Sequence, residues 1–299
     1  MNSSRLLRRC LRASFTVLLL TSSYAQEDDF NDGNETGWTR FAPLAPLGGT
    51  SFSVTGGAYR MACNPSQNPL TQGPARCGAL RLDRIYSNFL VMVDIVDFDP
   101  AEDAAVGILA RIQPNAGAGA VNGYAFTFQV QDQDVQISRV TGEAPTALAG
   151  SPAVSSPLVP GGNYRMVFFG LGDYLEGRIY DMANPGVPLV TNSATDATYT
   201  QGTCGIVVFS DTNTRTSGAF DNYSASDGTR PAPDIAMGDG VVRVSWPAAA
   251  YLAHDLHLSS DLVEWIRATE LIYEDGRAVF TDPVNPGMPR KFFRLKLGP

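Results

Sequence analysis

The chain has 299 residues, with 30 acidic against 22 basic side chains and a formal net charge of −8, so nucleic acid and anionic membranes are poor partners. No stretch reaches the ~20 consecutive apolar residues that a membrane helix requires. The length suits one large sandwich followed by a smaller module.

In chain order, the first element is an address. Arg5, Arg8, Arg9 and Arg12 form a basic region, residues 13–20 an apolar core, and Ser23-Tyr24-Ala25 a small-x-small cleavage site. The pattern predicts a signal peptide over residues 1–25 and an exported, secreted or periplasmic chain beginning near Gln26. Arg8-Arg9 hints at twin-arginine export, and Cys10 precedes the apolar core, where a lipoprotein cysteine would not stand. Losing the leader removes four arginines and no acids, leaving a net charge of about −12.

Next comes "DDFNDGNETGW" (28–38), with Asp28, Asp29, Asp32 and Glu35 around Phe30. It reads either as a metal-binding loop or as a first turn whose Asp and Asn residues bond their own backbone. EF-hand spacing fails: with Asp29 first and Asn31 third, Gly33 arrives one residue early.

Cys63 and Cys77 flank "NPSQNPLTQGPAR", and in an exported chain the pair predicts a disulfide, contributing roughly 3 kcal/mol on the chain-entropy model. Cys204, within the apolar run "CGIVVF", reads as a buried free thiol, and zinc is not expected because no CxxC occurs.

The segments that follow alternate with period two, which predicts an all-β fold. Residues 88–99 put Phe89, Val91, Val93 and Ile95 on one face, and residues 106–112 put Val106, Ile108, Ala110 and Ile112 inward with Gly107, Leu109 and Arg111 outward. Residues 123–140 form a hairpin with Tyr124, Phe126, Phe128, Val130, Val135 and Ile137 on the core face. A second hairpin spans 163–181, and the last strands are 203–210 and 217–226. Two antiparallel sheets must stack to bury these faces. A Pro-rich break then predicts a linker at 229–238, dividing a module at 26–228 from one at 239–299.

With "DDFNDG", the hairpin "GYAFTFQVQDQDVQISR", "NYRMVFFGLGDYLEGRIYD" and "GTCGIVVFSDTNTRTSGAFDNYSAS", the chain from about Glu27 to Ser226 resembles the concanavalin A-like lectin/glucanase superfamily, in particular laminin G-like jelly rolls. The resemblance implies a two-sheet antiparallel jelly-roll sandwich with its first and last strands side by side. Asp28, Asp29 and Asp32 would then lie near Asp221 and Asn222, where members often hold a structural calcium; Asp29, Asp32 and Asp221 are the implied ligands. The tail, with "VVRVSWPA", "YLAHDLHLSSDLVEWIRA" and "RKFFRLKL", resembles a small fibronectin type III-like β-sandwich whose core Trp246 fills.

Two candidate chemistries remain. If alternation holds, Asp94, Arg111 and Gln129 face outward on three strands, and Glu176, Arg178 and Tyr180 on another. Carboxylate, guanidinium, amide and phenol suit sugar hydroxyls and the apolar sugar face, although the same residues would also make a solvated charge ladder. Catalysis has less support. The superfamily's glucanases carry E-x-D-x-E or E-x-D-x-x-E, since retaining hydrolysis needs two carboxylates about 5 Å apart, and neither spacing occurs. Asp94 and Asp97 fall on opposite strand faces, as do His254 and His257, and no G-x-S-x-G elbow is present. The expectation is an exported, non-catalytic, lectin-like protein that binds a glycan or cell-surface polymer. The alternatives are a structural or adhesive envelope protein without a sugar site and an atypical glycoside hydrolase.

Overall fold

The computed structural model describes residues 25–42, 49–114, 120–228, 233–247, 254–274, 277–283 and 291–297. The leader expected at the N-terminus lies outside them apart from Ala25.

The first module is built from strands β1 (Gln26–Asp28), β2 (Trp38–Phe41), β3 (Thr50–Thr55), β4 (Ala58–Cys63), β5 (Arg76–Tyr86), β6 (Phe89–Asp97), β7 (Ala105–Ile112) and β8 (Gly123–Gln129). It continues with β9 (Asp134–Thr141), β10 (Ala144–Ala147), β11 (Tyr164–Leu171), β12 (Tyr174–Asp181), β13 (Val190–Thr195), β14 (Gly202–Phe209) and β15 (Thr216–Ser226). One sheet of eight strands runs β13-β12-β11-β6-β15-β4-β3, with β1 added on β15; the other, of seven, runs β10-β9-β8-β7-β14-β5-β2. All of these pairings are antiparallel. This is the expected all-β jelly-roll sandwich, and its first and last strands do lie together, with Asp28 opposite Tyr223.

Alternation explains the core. Phe89, Val91, Val93 and Ile95 from one sheet meet Phe126, Phe128, Ile206 and Val208 from the other, all buried. Phe168 sits between Phe89 (ring centroids 5.0 Å apart) and Phe126 (5.7 Å). Each such ring contributes on the order of 1.5–3 kcal/mol by leaving water. At one end of the sandwich Phe30 is plugged between Trp38 and Tyr59, at a positive φ of 51°. The opening stretch is thus anchored by its single phenylalanine.

One strand departs from the expected alternation. Between Leu109 and Ile112 the pairing of β7 with β14 shifts by one residue, and Arg111 takes a φ of 49°. This bulge reverses the two residues that follow Ala110. Arg111 turns inward, and Ile112 joins an apolar cluster on the outer face of the sheet. A Cβ on Gly202 would meet the carbonyl carbon of Arg111 at 2.3 Å, so glycine is required where β14 crosses the bulge.

The expected disulfide is not present: Cys63 on β4 and Cys77 on β5 are both free thiols inside the core. Cys63 Sγ instead lies 3.6 Å from Thr50 Oγ1 and donates to Asn64 O at 3.4 Å. Cys204 is the buried free thiol the sequence suggested, pushed up to about 12 by burial.

The second module contains β16 (Asp234–Gly238), β17 (Val241–Pro247), β18 (His254–Ser259), β19 (Ile266–Arg267), β20 (Ile272–Glu274), β21 (Arg277–Pro283) and β22 (Phe292–Leu297). They form sheets β16-β17-β21-β20 and β19-β18-β22. Trp246 is fully buried with Val244, Leu256, Ala278 and Leu295, as its sequence context predicts for a second sandwich core. Asp234–Gly238, read from sequence as linker, is an edge strand paired with β17.

Candidate functional site

The outer face of the seven-stranded sheet carries apolar side chains where an antiparallel sheet exposed to water would carry polar ones. Leu109 from β7, Ala125 from β8, Val140 from β9 and Val207 from β14 all point away from the core, with Phe41 from β2 beside them. They floor a cavity of about 380 Å³. Its walls come from two loops: Thr71–Pro74, which contains the single helical turn α1 (Pro69–Gln72), and the β9–β10 turn with its flanks, Gly142–Pro145.

An ion pair joins the walls. Arg76 donates from Nε and Nη2 to Glu143 Oε2 at 2.8 and 2.5 Å, and both side chains are largely buried. The same guanidinium donates from Nη1 to Gln72 O (2.9 Å) and Pro74 O (2.7 Å), pinning its own loop. Glu143 is held at a φ of 70°, where a residue with a Cβ is strained by roughly 1–2 kcal/mol. Its amide donates to Val121 O at 2.9 Å, and the preceding Gly142 amide to Asn122 Oδ1 at 2.9 Å. The turn therefore fixes the carboxylate in place to meet Arg76. Asp211 also lines the cavity; burial, then the nearby Asp103 and Asp132, raises its carboxyl above the usual range.

The six side chains proposed from sequence for a ligand do not converge. Arg111 is buried inside the sandwich, donating from Nε to Ser87 O (2.8 Å), from Nη1 to Tyr199 O (3.1 Å) and from Nη2 to Gly172 O (2.7 Å). It ties three loops together over Phe89 and Tyr124, and burial lowers its pKa. Gln129 lies on the outer face of the seven-stranded sheet, bonded to Thr127, outside the groove. The other four share the outer face of the eight-stranded sheet, as alternation predicts. There, however, they are buried in ion pairs instead of forming a solvated ladder. Asp94 accepts two hydrogen bonds from Arg165 (2.7 and 2.8 Å) and one from Asn222 Nδ2 (2.9 Å). Glu176 accepts from Arg178 Nε at 2.5 Å and from Tyr174 OH, and Arg178 donates to Tyr180 OH at 3.1 Å. Arg178 and Tyr180 line a second cavity, about 340 Å³, whose other side is formed by Asp255, Arg267 and Leu271 of the C-terminal module.

The calcium donors fare differently. Asp29 Oδ1 accepts the Asn31 amide (3.2 Å), and Asp32 accepts the amide (3.0 Å) and side-chain nitrogen (2.6 Å) of Asn34. Asp28 holds the Phe30 amide and Trp38 Nε1. These are turn-capping bonds, and no group of three or more acids, histidines or cysteines among the described residues is placed to hold an ion. Asp29, Asp32 and Asp221 therefore do not by themselves form a calcium shell. Burial, Asp94 and Asp29 do raise the Asp221 carboxyl, so the neighbourhood is acidic, but Asp29, Asp32 and Asp221 do not assemble into a coordination shell.

Sequence reasoning passed over Arg76 and Glu143, which are 67 residues apart and mark no motif. A signal for the floor was present: "RCGALRL" and "CGIVVF" are apolar on both alternating faces, which means both faces are covered.

No protein-family model matches the chain, and no curated protein matches it. Among solved structures, it is similar to a carbohydrate binding module, CBM66, from Bacillus subtilis, at 17% identity and a TM-score of 0.46, covering 64% of this chain and 97% of that one. A prokaryotic β-1,3-1,4-glucanase (lichenase) derived from a mouse hindgut metagenome is similar at 13% identity and a TM-score of 0.49, covering 69% and 99%. Basic winged bean lectin is similar at 11% and 0.47, covering 68% and 97%. The fold assignment rests on the sheets and core themselves.

Proposed function

We propose that this protein is a non-catalytic, lectin-like binding protein that takes a short stretch of glycan in the groove on the seven-stranded sheet. The observation that carries the reading is an apolar floor of Leu109, Ala125 and Val207 beneath a charged rim of Arg76 and Glu143. Binding sites of this size combine an apolar surface with a few fixed polar groups, and a sugar ring offers a matching apolar face edged by hydroxyls. The carboxylate of Glu143 is committed to Arg76, which suits a binding rim better than an acid–base pair. The lectin, binding-module and glucanase names among the similar folds agree with this class of ligand without assigning one. Export, read from the leader-like sequence, belongs to the same proposal and would bring the groove to extracellular polymers.

A structural or adhesive role is the second reading, favoured by one observation: the floor residues are nearly as buried as a core, with Leu109 at 2% exposure. Binding of the full chain to a panel of soluble and insoluble polysaccharides, with reducing-end release measured alongside, separates the readings. Glycan binding that is lost in Ala125→Leu, which fills the floor without touching the rim, supports the lectin reading. A folded chain that binds nothing on the panel supports the structural one, and sustained release of reducing ends would mean an enzyme.

A further inference from the structure

The second module has sheets of unequal width: four strands, β16-β17-β21-β20, face three, β19-β18-β22. β19 and β20 stand at the same edge, because only residues 268–271 join them, and Ala268 and Leu271 of that link pack into the core the two sheets share. That edge is also the one turned toward the first module, with Arg267 and Leu271 near Tyr180. Counting inward from it sets β18 and β22 over β21 and β17: Leu295 of β22 is buried with Trp246 of β17, and Phe293 reaches Phe280 of β21, ring centroids 6.5 Å apart. β16 is left overhanging, with no strand opposite it among the described residues. Ile235 and Met237 of β16 pair with Val244 and Val242 of β17, so they stand on the core side of the sheet. Val244 is fully buried, yet Ile235 is 55% and Met237 74% exposed. Among the described residues β16 pairs only with β17 and β22 only with β18, so each leaves one row of backbone N–H and C=O groups without a strand partner. β16 contains no proline, lysine or bulge of the kind that shields an open edge.

We propose that two copies of this chain join through these edges, with β16 of each copy seated in the gap of the other. A two-fold axis running between the layers carries β16 of one copy to the place beside β22 of its partner, and the partner's β16 to the place beside the first copy's β22. Each sheet of four then continues through β16 into the other copy's sheet of three, and both open edges are paired by strand addition. A stagger of one strand is what this closure needs. Ile235 and Met237 of the two copies come face to face across the ~10 Å between packed sheets and leave water. Charge favours the same arrangement: β16 opens on Asp234 and is followed by Asp239, whereas β22 follows Lys291 and contains Arg294 and Lys296. Joining β16 to β16 would set acidic strands together, and β22 to β22 basic ones, so complementarity selects the crossed pairing. The interface does not depend on what the groove binds. Two joined copies would offer two grooves to one polymer, and only that gain in avidity rests on the proposed function.

The test needs no ligand. Sedimentation equilibrium of the full chain is measured over roughly 1–100 µM, and amide hydrogen exchange is followed at both ends of that range. The proposal predicts a monomer–dimer equilibrium in which the amides of residues 234–238 and 292–297 exchange more slowly as the dimer fills. Met237→Lys places a charge where the single copy is exposed and the pair is buried, so it should weaken association by about 30-fold or more, with circular dichroism and melting temperature unchanged. Ile235→Lys should do the same. Ile272→Lys, on the opposite edge where Ile272 is 61% exposed, should leave association as it is. A monomer throughout the range would overturn the proposal and leave the gap to a strand from another protein. A dimer that withstands both β16 lysines, one broken by Ile272→Lys, or protection that falls outside β16 and β22 would overturn the interface. If both β16 variants lose structure, the exchange map of the wild type decides.

Discussion

The two outer faces of the sandwich obey the same alternation and reach opposite chemistries. On the eight-stranded sheet the outward positions of β6, β11 and β12 hold Asp94–Arg165 and Glu176–Arg178, ion pairs set among Met92, Val167 and Phe169. On the seven-stranded sheet the outward positions beneath the groove include Leu109, Ala125, Val140 and Val207, with one ion pair lifted off the sheet into the walls. Where charges lie flat on the strands and are neutralised locally, little remains to hold a ligand. Where the strands are apolar and the charge sits at the rim, a ligand can bury a face and still find polar partners.

The sharpest way to break this comparison is to break an ion pair on each face. Glu176→Ala removes the carboxylate paired with the buried Arg178 while its hydrogen bond to Tyr180 OH remains, and unfolding in urea should show a loss of about 3–5 kcal/mol, because breaking a buried pair from one side costs more than the pair contributed. Ligand binding in the groove should survive in the fraction that stays folded. Glu143→Gln keeps the shape and removes one charge from the strap, so the loss should be smaller, about 1.5–3 kcal/mol, as for a charged hydrogen bond. Here binding should change together with stability. If Glu176→Ala proved the milder of the two, the claim that the eight-stranded face is a structural network would fail.

A smaller effect tests the acidic end near the opening stretch. The Asp221 carboxyl is raised by burial and then by Asp94 and Asp29, so its ionised form is disfavoured in the folded state. For a raised acid, the stabilising contribution is complete below the unfolded pKa and is lost as pH rises through the folded pKa. Asp221→Asn should therefore raise the melting temperature slightly at neutral pH, and the gain should vanish below about pH 4, where the unfolded carboxyl is protonated too. Calcium should not reproduce the gain in the wild-type chain; a calcium-dependent rise in melting temperature would restore the metal loop that the geometry disfavours.

Much of the architecture was legible in the sequence because it depends on a local rule. Period-two alternation placed Phe89, Val91, Phe126 and Phe128 in the core, and Trp246 marked the second one. Arg111 defeated the same rule because a one-residue bulge turns a predicted surface cation into a buried brace, and nothing in "VGILARI" announces the shift. Asp94, Glu176, Arg178 and Tyr180 were assigned to the correct face, but their burial depends on what packs above the sheet, which alternation cannot report. The strap was invisible for another reason. Arg76 and Glu143 meet only after the twisted sheet brings its loops together, and the positive φ of Glu143 is not one its residue type suggests.

The most direct test is equilibrium binding of the wild-type chain and of Ala125→Leu to the same polysaccharide panel, with thermal unfolding recorded for both. The account predicts binding to at least one glycan by the wild type and its loss in the variant, at nearly unchanged melting temperature. Equal binding by the two proteins would contradict it, and would put the ligand somewhere other than the groove.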